Sequence, residues 1–103
     1  MVKHLKAYKI RHKQTGLYYR PGSGNSLNEE GKLYFKKRPS LNMICFIQMS
    51  YKQIKELEEK GIKVCYTDEH KPSWMTTSTF LSFDANDLEI EEYDCEMKLT
   101  KIN

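Results

Sequence analysis

The stretch LKAYKIRHKQTGLYYR, residues 5–20, restricts the fold more than any other. Over residues 5–13 the side chains alternate. Tyr8 and Ile10 fall on one face of an extended chain, and Lys9, Arg11 and Lys13 on the other. A period of two is what a strand with one buried face produces. Gln14-Thr15-Gly16 supplies a turn, because glycine tolerates the positive φ of tight hairpins. Residues 17–20 return as a second strand, and Pro21, which has no N–H to donate, stops it. Residues 21–31 read as a connecting loop by composition. Residues 32–37, KLYFKK, predict a third strand ended by Pro39, so the N-terminal part reads as a three-stranded antiparallel meander.

The pattern then changes. Ser40 suits a helix N-cap, Ser50 with Gln53 fits a capping box, and Tyr51, Ile54 and Leu57 recur at helical spacing. Gly61 sits where a C′ glycine belongs. These signals predict one main helical segment over 41–60, although the apolar run 41–49 also fits a buried strand. Residues 62–66 and 76–83 predict short strands, and residues 84–87 a turn. Residues 88–101 predict a long strand whose apolar parity switches: Leu88 and Ile90 share one face, Tyr93, Cys95, Met97 and Leu99 the other. A β-bulge near Glu91 or Glu92 would reconcile the two. The expected class is therefore α+β, an antiparallel sheet with one helix across it. A single domain over 1–103 is long enough to bury a core without disulfides or metal.

Cys45, Cys65 and Cys95 form no C-x-x-C pair. Three free, buried thiols in a reducing compartment are the expectation. The first residues carry no apolar leader, and no stretch approaches a membrane span, so a soluble protein with no membrane partner is expected. Trp74 is expected as a lid over the core.

Charge is divided along the chain. Residues 1–40 hold ten Lys/Arg against two acids, and residues 41–103 seven Lys against twelve acids. Cations neutralise phosphates by releasing condensed counterions, and tyrosines stack on unpaired bases. Lys9, Arg11, Lys13, Tyr18, Arg20, Tyr34, Lys36 and Arg38 are therefore the candidate contact residues for RNA, DNA or another acidic surface. Glu89, Glu91, Glu92 and Asp94 are the candidate acidic contacts for a basic partner. The opposing reading pairs the two sets inside one sheet. His4, His12 and His70 are dispersed and match no metal-ligand spacing. The 21–32 loop lacks the Walker pattern ahead of a helix. No cofactor, metal site or catalytic residue is expected, and the favoured mode is binding without chemistry.

Thr15-Gly-Leu-Tyr-Tyr19, the run GKLYFKKRPSL at 31–41 and NDLEIEEY at 86–93 resemble small, mostly uncharacterised bacteriophage accessory proteins. The resemblance implies a viral protein working in the host cytoplasm. Proteins of that kind often bind and disable host machinery, anti-CRISPR proteins among them. The implied partner is a host protein or ribonucleoprotein, and the alternative role is that of a nucleic-acid-binding accessory protein.

Overall fold

The computed structural model describes residues 2–22, 25–69, 74, 77–98 and 100. It is an α+β fold. Eight described strands form one mixed sheet: β1 (Val2–His12), β2 (Tyr18–Arg20), β3 (Ser26–Asn28), β4 (Tyr34–Phe35), β5 (Gln48–Ser50), β6 (Tyr66–Thr67), β7 (Ser78–Leu81) and β8 (Leu88–Lys98). One helix, α1 (Tyr51–Glu59), follows β5 directly.

The frame is the antiparallel pair of β1 and β8, in register over the full length of both, from Val2↔Lys98 to His12↔Leu88. The peptide groups of β1 divide by parity, as they must in a strand paired on both edges. The Lys13 N–H, just past the strand end, donates to the Asp87 carbonyl (2.8 Å), on the β8 side. The even residues turn the other way: the His12 N–H donates to the Leu17 carbonyl (2.8 Å), and the Lys6 carbonyl accepts from the Lys36 N–H (3.0 Å). β2 and β4 thus share the edge of β1 that faces away from β8.

The chain departs from the expected meander here. The third strand beside β2 is β3, drawn from the segment read as a loop. β4 covers only two residues of the expected 32–37 strand and returns to β1, with Ala7 opposite Phe35 and Tyr8 opposite Tyr34. β3 then pairs parallel with β5, and β5 and β6 flank β7 antiparallel.

Residues 41–60 do not form one helix. Ser40 does cap, accepting from the Asn42 N–H, but it starts only a short 3-10 turn, Leu41–Met43. The run beyond it is extended because Ile47 and Met49 are fully buried in the sheet core with Ile10 and Leu27. Leu81 also donates its N–H to the Ile47 carbonyl (2.8 Å). A fully apolar run satisfies a buried strand as readily as a helix, and here sheet pairing decides. The second half keeps its signals: the Ser50 side chain accepts from the Gln53 N–H, and Ile54 and Leu57 are the buried stripe of α1.

The expected bulge in β8 is absent, since the register runs unbroken. The switch of apolar parity has another cause. Near His12 and Leu88 the even face of the ribbon covers the core, where Ile10 and Leu88 are buried. Toward the other end that face meets solvent, and Lys6, Glu92 and Asp94 occupy it, all exposed. The odd face there pairs Leu5 with Cys95 and buried Ala7 with Tyr93. What each face meets changes along the strand, so the apolar residues change sides with no inserted residue.

Two expectations about single residues also fail. Cys45 and Cys65 are exposed and Cys95 half-buried, because Cys45 and Cys65 lie on connections rather than on core-facing strand positions. Trp74 is 77% exposed and covers no core. The expected strand position Thr76, the loop residues 70–73 and the strand extension at 99 and 101 lie outside the described residues.

Gly31 shows how tightly the strap leading to β4 is tied to β2. Its φ is +66°, and a Cβ there would collide with the Cβ of Tyr18. The Asn28 side-chain oxygen accepts from the N–H groups of both Glu30 and Gly31. Gly61 has φ +86° but open space around it. We predict that Gly31→Ala destabilises the fold by about 1–3 kcal/mol from backbone strain plus collision. Gly61→Ala should cost less, about 1–2 kcal/mol, from strain alone. Chemical denaturation of both variants tests the order.

Candidate functional site

The ladder between β1 and β8 places the basic and acidic candidates opposite one another. Residues facing each other across an antiparallel pair share a side of the sheet. On the odd side, Arg11 lies opposite Glu89 and Lys9 opposite Glu91. The Arg11 guanidinium donates to Glu89 Oε1 at 2.8 Å. Tyr18, which faces Arg11 from β2, brings its ring under the Lys9 ammonium, 4.9 Å from nitrogen to ring centre. The Tyr93 hydroxyl donates to Glu91 Oε1 at 3.0 Å. Hydrogen bonding from Tyr18 above all holds the Glu91 carboxyl below the usual carboxylate range, helped by Tyr93 and by the charges of Arg11 and Lys9. The same network, Tyr18 first, pushes the Tyr93 phenol well above its ordinary value.

On the even side, Lys6 bridges Asp94 (2.9 Å) and Glu92 (3.7 Å). Its hydrogen bond and charge lower the Asp94 carboxyl, and Asp94 raises the lysine in return. These pairs are largely exposed and solvent-screened, so they contribute little to stability. Their larger consequence is electrostatic. Lys9 and Arg11 already face carboxylates, and this part of the sheet presents little net positive field.

The remaining candidates separate. Lys13 is exposed in the turn after β1, and Arg20 is exposed at the end of β2. Tyr34, Lys36 and Arg38 lie together in the strap that carries β4 toward the 3-10 turn. Lys32, Lys36, Lys37 and Arg38 are solvent-accessible there, and none makes an ion pair among the described residues. The Lys32 ammonium lies 4.9 Å from the centre of the Tyr34 ring. Phe35 and Met43 are also exposed. Lys32, Tyr34, Phe35, Lys37, Arg38 and Met43 line an open groove of about 500 Å³.

The strap is held in a strained form. Lys36 has φ +67°, a left-handed conformation uncommon for a residue with a Cβ, inside a tight turn closed by the Lys37 N–H on the Phe35 carbonyl (2.7 Å). The Lys36 N–H is anchored to Lys6 of β1. Strain of this kind persists only where surrounding structure fixes it, and it gathers at contact sites. The Tyr34 ring runs inward beside Tyr19, and burial raises its phenol. Its hydroxyl has no hydrogen-bond partner among the described residues.

Lys37, Phe35 and Met43 are groove residues that the sequence pattern did not single out. The run FKKRP carries the signal, as consecutive cations around one aromatic. Strand parity concealed it, because β4 is only two residues long and alternation does not govern residues 36–38. Among the described residues, no group of three His, Cys, Asp or Glu is placed to hold a metal ion. No described helix is long and apolar enough to cross a membrane. No protein-family model, curated protein or solved structure matches the chain.

His12 ties the hairpin turn to the core. It is buried, with Nδ1 2.9 Å from Thr15 Oγ1, which also accepts from the Leu17 N–H (3.2 Å). Burial depresses its pKa below the ordinary 6.5, with Arg11 adding to the effect and Asp87 opposing it. The unfolded chain therefore takes up this proton at a higher pH than the folded one. Stability should be full above about pH 6.5 and fall as the pH is lowered through the window beneath it. Thermal melts between neutral and mildly acidic pH test this, and His12→Asn should flatten the slope in that window.

Proposed function

We propose that the protein works by binding without chemistry, and that its contact is the cationic strap over 32–43. The ligand is a single strand of nucleic acid, free or carried by a host nucleoprotein. The observation behind this is the separation of charge. Lys6, Lys9 and Arg11 of β1 face carboxylates of β8, whereas Lys32, Lys36, Lys37 and Arg38 make no ion pair among the described residues and flank exposed Phe35 along the chain. Unpaired cations supply the phosphate attraction. An exposed ring beside them offers a stacking surface to any base, which favours unpaired strands over a stacked duplex.

The wider reading is a bacteriophage protein that acts in the host cytoplasm and blocks a host nucleoprotein or defence factor, as an anti-CRISPR protein does. It draws on the resemblance in the hairpin, strap and β8 motifs. Its specific structural support is Trp74, a large exposed aromatic of the type that anchors protein interfaces. In that reading the strap engages nucleic acid displayed by the target.

Titration with a fluorescent single-stranded oligonucleotide at several salt concentrations tests the strap. Affinity should fall steeply with salt. Lys37→Ala with Arg38→Ala should reduce the logarithmic slope by about 0.7 for each phosphate contact removed. Lys9→Ala should leave the slope unchanged. Binding that is insensitive to salt, or that depends on Lys9 rather than on the strap, would overturn the assignment.

A further inference from the structure

The longest strand pair has one edge that nothing described covers. Among the described residues β8 pairs with β1 alone. Odd residues of β1 direct their peptide groups to odd residues of β8, in keeping with the Lys13–Asp87 bond and the Lys9↔Glu91 register. The N–H and C=O groups of Ile90, Glu92, Asp94 and Glu96 therefore point outward. Such an edge is a template for another strand.

The ribbon also extends beyond the body. β2 and β4 meet β1 only around residues 7–8 and 11, and the molecule measures 52 Å along its long axis against 28 Å across. A two-stranded ribbon is marginal by itself in water, and a third strand stabilises it. The opposite edge of the ribbon is blocked by β4 from Lys6 onward. The β8 edge runs clear among the described residues.

We propose that the outer edge of β8 takes an extended segment of a partner protein by strand addition, the partner alternating cations with apolar residues. The chemistry of each face selects that pattern. On the even face the segment would lie beside Glu92, Asp94 and Glu96, all exposed, with Lys6 the sole cation in an ion pair with them among the described residues. On the odd face it would lie beside half-buried Tyr93 and Cys95. Main-chain hydrogen bonds supply affinity in this mode, and alternate side chains supply specificity. Pairing of β8 with itself centred on Tyr93 would set Glu92 against Asp94 of the other copy, and like charges directly opposite are destabilising. This surface is separate from the strap and does not depend on it.

The probe is a synthetic peptide as long as β8 that alternates lysine and valine, added to the intact protein. Amide hydrogen exchange should slow at Glu92, Asp94 and Glu96. A version of the peptide N-methylated at alternate residues should fail to bind, because it cannot complete the ladder. Glu96→Lys, which breaks no described ion pair, should weaken binding while circular dichroism stays unchanged. Lys37→Ala should have no effect. Equal binding of the N-methylated peptide, or binding without protection of those amides, would overturn the proposal. So would concentration-dependent self-association of the protein alone that Glu96→Lys abolishes, because the edge would then belong to a second copy.

Discussion

The pairing of β1 with β8 joins the two ends of the described chain into one ladder, and the rest of the sheet is arranged on it. One edge of β1 is occupied by β8 along its whole length. The other edge must then serve both β2 and β4, which forces the chain after β3 to return across β1 as a short strap. The same ladder sets charge against charge. The basic first part and the acidic second part were separate along the chain. The register places Arg11 on Glu89, Lys9 opposite Glu91, and Lys6 on Asp94. Individually these exposed pairs contribute little. Collectively they decide which cations remain for a partner.

That subtraction is the basis of the functional account. A count of cations points to the hairpin, because Lys9, Arg11 and Lys13 are its most conspicuous residues. Arg11 is taken up by its ion pair with Glu89 and Lys9 lies opposite Glu91, so the densest run of exposed cations without a facing carboxylate is the strap. The Lys36 turn, strained and anchored to β1, holds its exposed cations around an open groove. The ladder that neutralises one surface thus positions the other.

Much of the fold was legible in residues whose physics is local. Pro21 ends β2, Ser50 caps α1, and Gly61 adopts the positive φ that a helix end requires. The alternation over 5–13 produced a strand. What was not legible depended on distant partners. β3 is concealed in a segment of turn-forming composition and exists because β2 and β5 lie on either side of it. The run 41–49 fitted a helix and a buried strand equally, and sheet pairing at Gln48–Ser50 chose against the helix. The parity switch in β8 suggested a bulge, yet its cause is that the ribbon leaves the core partway along. The site divided in the same way. Tyr34, Lys36 and Arg38 were singled out by residue type and do lie together. The neutralising role of Glu89 and Glu91 was visible only as one of two readings until the register was known.

Facing carboxylates neutralise Lys6, Lys9 and Arg11 of β1, and the strap is left as the contact surface. Chemical-shift mapping of the protein with a single-stranded oligonucleotide at low salt tests it most directly. Shifts should concentrate at residues 32–38 and at Met43, with Lys9, Arg11 and the facing Glu91 and Glu89 unmoved. Shifts centred on Lys9, Arg11 and Tyr18, with the strap unaffected, would contradict it.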